Sequence, residues 1–281
     1  MYLRMVSLCA LLVIAVPLLN AQAKPGQVEN ALRNLRSVPV DQKPAAIIKL
    51  ATDIRTLPAG KEKVSYADAL THLSTEGDMG KDALQAVADT LSASLTETPI
   101  PAKSDKVPMP YYDLAKLVHY EGVTTTTTDP QYLKAAQMLT DNDASLEKVD
   151  FSLKDLRGKK VTLSDLRGKI VLVNFWATWC APCRVEMQDL DALSRYFAPQ
   201  GLVVLSITDE DGFKVSQFFG GAKYNPEVLL DPGGKVHEQF HVTGIPNTYL
   251  FNRDGKLLAV AIDERTRRQF LDMLSKTDLH P

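Results

Sequence analysis

The apolar run Ile170-Val171-Leu172-Val173-Asn174-Phe175 leads directly into Trp176-Ala177-Thr178-Trp179-Cys180-Ala181-Pro182-Cys183, and a helical pattern from Arg184 to Phe197 follows. A run this continuously apolar predicts a strand in a sheet covered on both faces. Two cysteines spaced C-x-x-C therefore stand at a strand-to-helix junction. The first turn of a helix leaves backbone N–H groups without intrahelical acceptors and carries the positive end of the helix dipole. A thiolate placed there is stabilised, so Cys180 is expected to react near neutral pH. Cys183 lies one turn further in, close enough to resolve a mixed disulfide. Pro182 suits an early helical position, where its missing N–H costs nothing.

The third cysteine of the chain, Cys9, belongs to a different kind of segment. Arg4 supplies a positive start, Val6 to Leu19 is apolar apart from Ser7 and Pro17, and Ala21-Gln22-Ala23 is a small-x-small cleavage site. Residues 1–23 read as a secretory signal peptide cut after Ala23. The alternative is an uncleaved membrane anchor, but the apolar run is shorter than the roughly 20 residues a spanning helix needs. Most of the apolar core follows Cys9, which argues against lipid attachment there. After cleavage, Cys180 and Cys183 remain, in an exported, periplasmic or otherwise extracytoplasmic compartment where disulfides persist. A bridge closing so short a loop stabilises little. No second cysteine pair completes a zinc site. Redox chemistry is the reading that fits. A formal net charge of −2 gives no reason to expect nucleic acid as a partner.

A length of 281 residues suggests one or two domains. Residues 24–144 carry helix-period stripes: Val28, Ala31, Leu32 and Leu35; then Ile47, Ala51 and Ile54 after an N-cap at Asp41; then Tyr66, Leu70 and Leu73; then Leu84, Val87, Leu91 and Leu95. Leu114, Leu117 and Val118 follow a proline-rich break from Pro99 to Pro110, and a last helix is expected over Gln131 to Leu139. Such stripes need burial against one another, so a small all-α domain of unknown role is expected. It shows no catalytic constellation, and His72 and His119 stand isolated in the sequence. Thr124 to Thr128 reads as a strand or an extended linker.

Residues 145–281 form the expected redox domain. Phe151-Ser-Leu and Val161-Thr-Leu flank Arg157-Gly-Lys-Lys160 as a β-hairpin. Strands are expected at 170–175, 202–207, 228–230, 248–251 and 256–262, the last two joined by the turn Asn252-Arg-Asp-Gly255. Helices are expected at 184–197, 213–219, 236–240 and 265–274. The order is β-α-β-α-β-β-α behind a hairpin, an α/β mixed sheet flanked by helices. Asp209, Glu210 and Asp211 read as a solvated loop with a helix cap. His237 and His241, four apart with no accompanying cysteine or carboxylate ligand, read as surface histidines; no metal is expected.

Val171 to Glu186 resembles the active-site segment of thioredoxin-fold proteins, and more narrowly of the exported thiol–disulfide oxidoreductases of the TlpA/ResA type, within the redoxin and AhpC/TSA-like superfamily. Leu163-Ser-Asp-Leu-Arg-Gly-Lys169 resembles the segment before their central strand, and Thr243-Gly-Ile-Pro-Asn-Thr248 their cis-proline loop. The resemblance spans about residues 145–276 and leaves 24–140 uncovered. It implies that Cys180 attacks, that Cys183 resolves, and that the two alternate between dithiol and disulfide. It implies that Pro246 is cis, that Ile245 offers backbone groups to a substrate strand, and that Trp179 meets substrate. Thioredoxin itself carries a buried aspartate where this chain has Asn174, which cannot accept a proton. Glu186, one helical turn beyond Cys183, has two open readings: a tuner of thiol ionisation or a solvated helix carboxylate. Gln188 stands where the family usually has a helix-kinking proline and should leave the helix straighter.

The expected activity is protein-disulfide reduction on thiol-containing partner proteins, of the kind that cytochrome or metal-site maturation needs. No cofactor is expected beyond the cysteine pair, but an unidentified, membrane-bound electron donor must recharge it. The competing readings are a disulfide-donating oxidase and a copper-binding assembly chaperone. A peroxiredoxin would need a peroxidatic cysteine in its own loop. A docking role for the helical segment would make it the carrier of the redox domain.

Overall fold

The structure is a computed structural model that describes residues 23–220 and 227–280. The expected signal segment, with Cys9, lies outside the described residues except at Ala23. The apolar stripes become helices α1 (Pro25–Asn34), α2 (Lys43–Arg55), α3 (Lys61–Ser74), α4 (Lys81–Glu97), α5 (Met109–Glu121) and α6 (Pro130–Leu146). Val28, Leu32, Ile47, Ile54, Leu70, Leu91, Leu114 and Leu139 meet in one apolar core.

Three details differ from the sequence reading. Ala31 faces solvent. Asp41 sits in a short 3-10 turn, Val40–Gln42, and α2 begins after Gln42 with Pro44 in its first turn. The last helix runs on to Leu146, started by the Asp129 side chain, which accepts the Gln131 N–H at 2.8 Å. Thr124 to Thr128 is an extended linker, tied to α4 where Gln85 accepts the Thr124 N–H at 3.0 Å.

The strands are β1 (Ser152–Asp155), β2 (Lys160–Thr162), β3 (Ile170–Phe175), β4 (Leu202–Thr208), β5 (Val228–Leu230), β6 (Asn247–Phe251) and β7 (Leu257–Ile262), in the sheet order β2-β1-β5-β4-β3-β6-β7. β3 runs parallel to β4 and antiparallel to β6, which places Asn174 beside Ser206 and Thr248. The helices of this region are α7 (Ala181–Phe197), α8 (Gly212–Phe219), α9 (Lys235–Gln239) and α10 (Arg267–Leu274).

The continuous apolarity of β3 now has its cause. Ile170 and Leu172 enter a core with Leu190, Leu193 and Phe197 of α7 and Phe270 of α10. Val171, Val173 and Phe175 enter the opposite core with Val236 and Phe240. Alternate side chains feed different layers, so neither set can be polar. The exception is Asn174, on the α7 side. Leu146 at the end of α6 joins the second core, and α5 packs against β7, so the helical region rests on the sheet. No helix among the described residues is long and apolar enough to cross a membrane.

Candidate active site

Cys180 is the N-cap of α7, and its sulfur accepts the Cys183 N–H at 3.2 Å. That donor is one of the helix-terminal amides free to meet a thiolate. The two cysteines form a disulfide, and both are buried. The Ile245–Pro246 bond is cis, and the Ile245 carbonyl oxygen lies 3.8 Å from Cys180 Sγ. The disulfide sulfur carries no proton, so this is a contact between a backbone acceptor and the disulfide. Trp179 is 68% exposed beside this buried pair. Trp176 is fully buried, with the rings of Phe218 and Phe219 at 5.7 and 5.5 Å.

Between the tryptophans, Thr178 is clamped. Its N–H and hydroxyl both donate to the Glu210 carboxylate, the hydroxyl at 2.9 Å, and Lys214 pairs with the same group. Burial pushes the Glu210 carboxyl up, but Lys214 and the Thr178 donors outweigh it and hold it below the ordinary range. This corrects the reading of 209–211 as a solvated loop. Asp211 does cap α8, accepting the Phe213 N–H at 2.9 Å, and Asp209 is exposed, but Glu210 turns inward. Glu210 is a site residue that the sequence reading missed.

Glu186 is 1% exposed, so the solvated reading of this carboxylate does not hold. Its Oε1 accepts from Asn174 Nδ2 at 2.8 Å and its Oε2 from the Arg265 N–H at 3.0 Å. Asn174 Nδ2 also donates to Thr248 Oγ1 at 2.9 Å. Asparagine thus serves as a fixed donor between two strands and the helix. Burial dominates and pushes the Glu186 carboxyl up to about 8, against the pull of the Arg265 and Asn174 donors. α7 continues unbroken through Gln188.

Of the two histidines read as surface residues, His241 is exposed as expected and His237 needs correction. His237 is only 16% exposed; its Nδ1 lies 2.7 Å from Asp231 Oδ2, and its ring meets Phe175 edge-on at 4.7 Å. α9 ends at Gln239, so His241 leaves the helical path and lies 3.3 Å from Ser145 Oγ instead. Four-residue spacing places two ligands on one face only while the helix continues. Nor is His72 or His119 isolated. His119 Nε2 lies 2.8 Å from Asp143. His72 forms a cluster with Asp68 and Asp113 whose donor atoms lie within 4.8 Å of one another. Burial and the neighbouring Asp113 push Asp68 up to about 6. Lys116 Nζ, 2.8 Å from Asp113, already brings a positive charge to that cluster.

The sheet order, the cysteine pair at the start of α7 and the adjoining cis-proline loop define a thioredoxin-like redox protein. Sequence comparisons with known proteins narrow this. The AhpC/TSA family model matches residues 146–260. The thiol-disulfide oxidoreductase ResA of Bacillus thuringiensis (strain Al Hakam) is 34% identical over 131 residues, covering 46% of this chain and 76% of that protein. ResA of Bacillus subtilis (strain 168) is 33% identical over 127 residues, covering 45% of this chain and 71% of that protein. Among solved structures, the exposed lipoprotein thioredoxin Etrx1 of Streptococcus pneumoniae strain TIGR4 is 29% identical and covers 46% of this chain and 99% of that one, with a TM-score of 0.43. The chain belongs to the ResA-type thiol–disulfide oxidoreductases of the wider AhpC/TSA family. The family model's match runs from residue 146 to 260 and leaves outside it α1 to α5, α6 up to its last residue, and α10.

Proposed function

We propose that this chain reduces disulfides in extracytoplasmic partner proteins, with Cys180 as nucleophile and Cys183 as resolving thiol. The observation that carries the reading is the Cys180 sulfur: it caps α7, accepts the Cys183 N–H, and faces the Ile245 carbonyl. In the reduced chain, the Cys180 thiolate attacks one sulfur of the partner disulfide. That S–S bond breaks, a mixed disulfide forms, and one partner thiolate leaves. Cys183 then gives up its proton and attacks Cys180 Sγ. The Cys180–Cys183 bond forms, and the second partner thiolate leaves and takes up a proton. The partner gains two electrons and the chain loses two, which a separate, membrane-bound dithiol donor must return.

Glu186 is the proposed acceptor of the Cys183 proton. A carboxyl pushed up to about 8 holds a proton far more tightly than an ordinary carboxylate, which brings it toward the range where thiols ionise. Asn174 orients Glu186. The exposed Trp179 ring, with Ile245 and Pro246, forms the surface on which a partner strand lies. Export follows from the N-terminal signal pattern. Residues 24–144 act as a helical domain in front of the redox domain at 145–281; the boundary falls in the last turn of α6, whose Leu146 enters the sheet core.

The test is mixed-disulfide trapping on a model disulfide protein such as insulin. C183S should accumulate the covalent intermediate, and C180S should form none and reduce nothing. Trapping by C180S, or reduction that persists in it, would overturn the assignment.

A further inference from the structure

The loop between β7 and α10 is held by the helical region at three consecutive residues. Thr75 Oγ1 donates to Asp263 Oδ2, the Gly77 N–H donates to the Glu264 carbonyl at 2.9 Å, and the Arg265 guanidinium donates to Glu121 Oε1. Beyond the loop, Gln269 Nε2 donates to the Gly77 carbonyl at 3.3 Å and Arg268 pairs with Asp78. Many ion pairs among the described residues are open to water, where they contribute little. Arg265 and Glu121 are different, at 6% and 8% exposed. Removing one partner of such a pair leaves the other as an uncompensated charge away from water.

Arg265 also faces the redox site. Its backbone N–H is the donor to Glu186 Oε2, so the residue that anchors the helical region also touches the site carboxylate. The other groups facing Glu186 are few. From β3 comes the neutral Asn174, linked to Thr248 on β6. From the loop comes Glu264, half-buried, whose charge opposes ionisation of Glu186, while the charge of Arg265 favours it. Glu264 is itself influenced by Glu76 and Lys43 of the helical region. Glu121 and Arg265 both lie outside the stretch that the family model matches, before its start and after its end.

We propose that Glu121 and Arg265 are positioning residues through which the helical region governs the ionisation of Glu186 and, with it, the deprotonation of Cys183. The second half rests on the role of Glu186 proposed above. With Glu121 in place, the guanidinium charge is largely neutralised and acts only weakly on Glu186. Without Glu121, Arg265 becomes a bare cation next to the carboxylate, and Glu186 ionises at lower pH. Without the Arg265 charge, Glu121 is a bare anion nearby, and Glu186 ionises at higher pH. The two halves of one ion pair thus have opposite effects, which loss of packing alone does not produce.

The experiment titrates the Glu186 carboxyl carbon by NMR in the full, oxidised chain, its signal assigned by its loss in E186Q. E121Q should lower the midpoint by about one pH unit, and R265M should raise it by about as much. The double variant E121Q/R265M should return close to the parent value. R265K, which keeps the charge, should stay near the parent and serves if R265M does not fold. In the reduced chain, the pH at which mixed-disulfide resolution accelerates should move in the same directions. If E121Q leaves the midpoint unmoved, or shifts it in the same direction as R265M, the coupling is overturned while the role of Glu186 stands. If the midpoints move as expected but resolution is unaffected, even in E186Q, the role of Glu186 falls and the second half of the proposal falls with it.

Discussion

The helical region and the sheet region use buried polar side chains differently. In the helical region several buried hydroxyls bond within their own helix: Thr71, Ser74, Thr90 and Ser94 each donate to a carbonyl three or four residues back. In the sheet region they span the fold. Glu186 takes one donor from a residue 12 positions away and another from one 79 away, and Glu210 reaches 32 residues back to Thr178. Local satisfaction supports a scaffold. Long-range satisfaction fixes a carboxylate at one place relative to the cysteines. The two regions meet where these habits join, at Asp263, Glu264 and Arg265.

That contrast can be broken or sharpened. The largest effect is expected in the helical core. Leu91 is fully buried, and L91A should cost about 2–5 kcal/mol in urea unfolding while leaving the Cys180–Cys183 potential unchanged. A shifted potential in L91A would mean that the scaffold and the site are not separable in this way. Next comes the pH dependence of stability. The folded-state affinity of Glu186 for its proton is raised, from 4.5 to about 8, so its contribution is fully present below about pH 4.5 and is lost as pH rises through 8. Chemical denaturation from pH 5 to 9 should show stability falling through this window, and E186Q should flatten that fall. A parent profile that rises across the window, or one that E186Q leaves unaltered, would contradict the burial of Glu186. The smallest effect is expected at Glu210. E210Q should weaken the clamp on Thr178 by about 1–3 kcal/mol. Stopped-flow reduction of a model disulfide should slow by about tenfold while the pH midpoint of Glu186 stays put. A moved midpoint would join two polar networks that the structure keeps apart.

Much of this was legible in the chain because it is local. The β3 run, Cys180 and Cys183 at the strand-to-helix junction, and Ile245-Pro246 ahead of β6 declare themselves within a few residues. The helical stripes do so as well, since a 3.6-residue period is a local property. What could not be read depended on register. Asn174 reaches Glu186 and Thr248 because β3 pairs with β6 and α7 lies over that face. Glu210 looks like its acidic neighbours until β4 and α8 set its direction. His237 and His241 look alike until α9 stops between them. No sequence period connects Glu121 to Arg265, 144 positions apart.

The central claim is that this pair gives electrons to partner disulfides. The most direct test is its equilibrium reduction potential, titrated in a thiol–disulfide buffer at pH 7 on the full chain. A value near or below about −220 mV is the predicted result and marks a reductant. A value near about −120 mV would mark a disulfide donor and contradict the direction of electron flow proposed for Cys180 and Cys183.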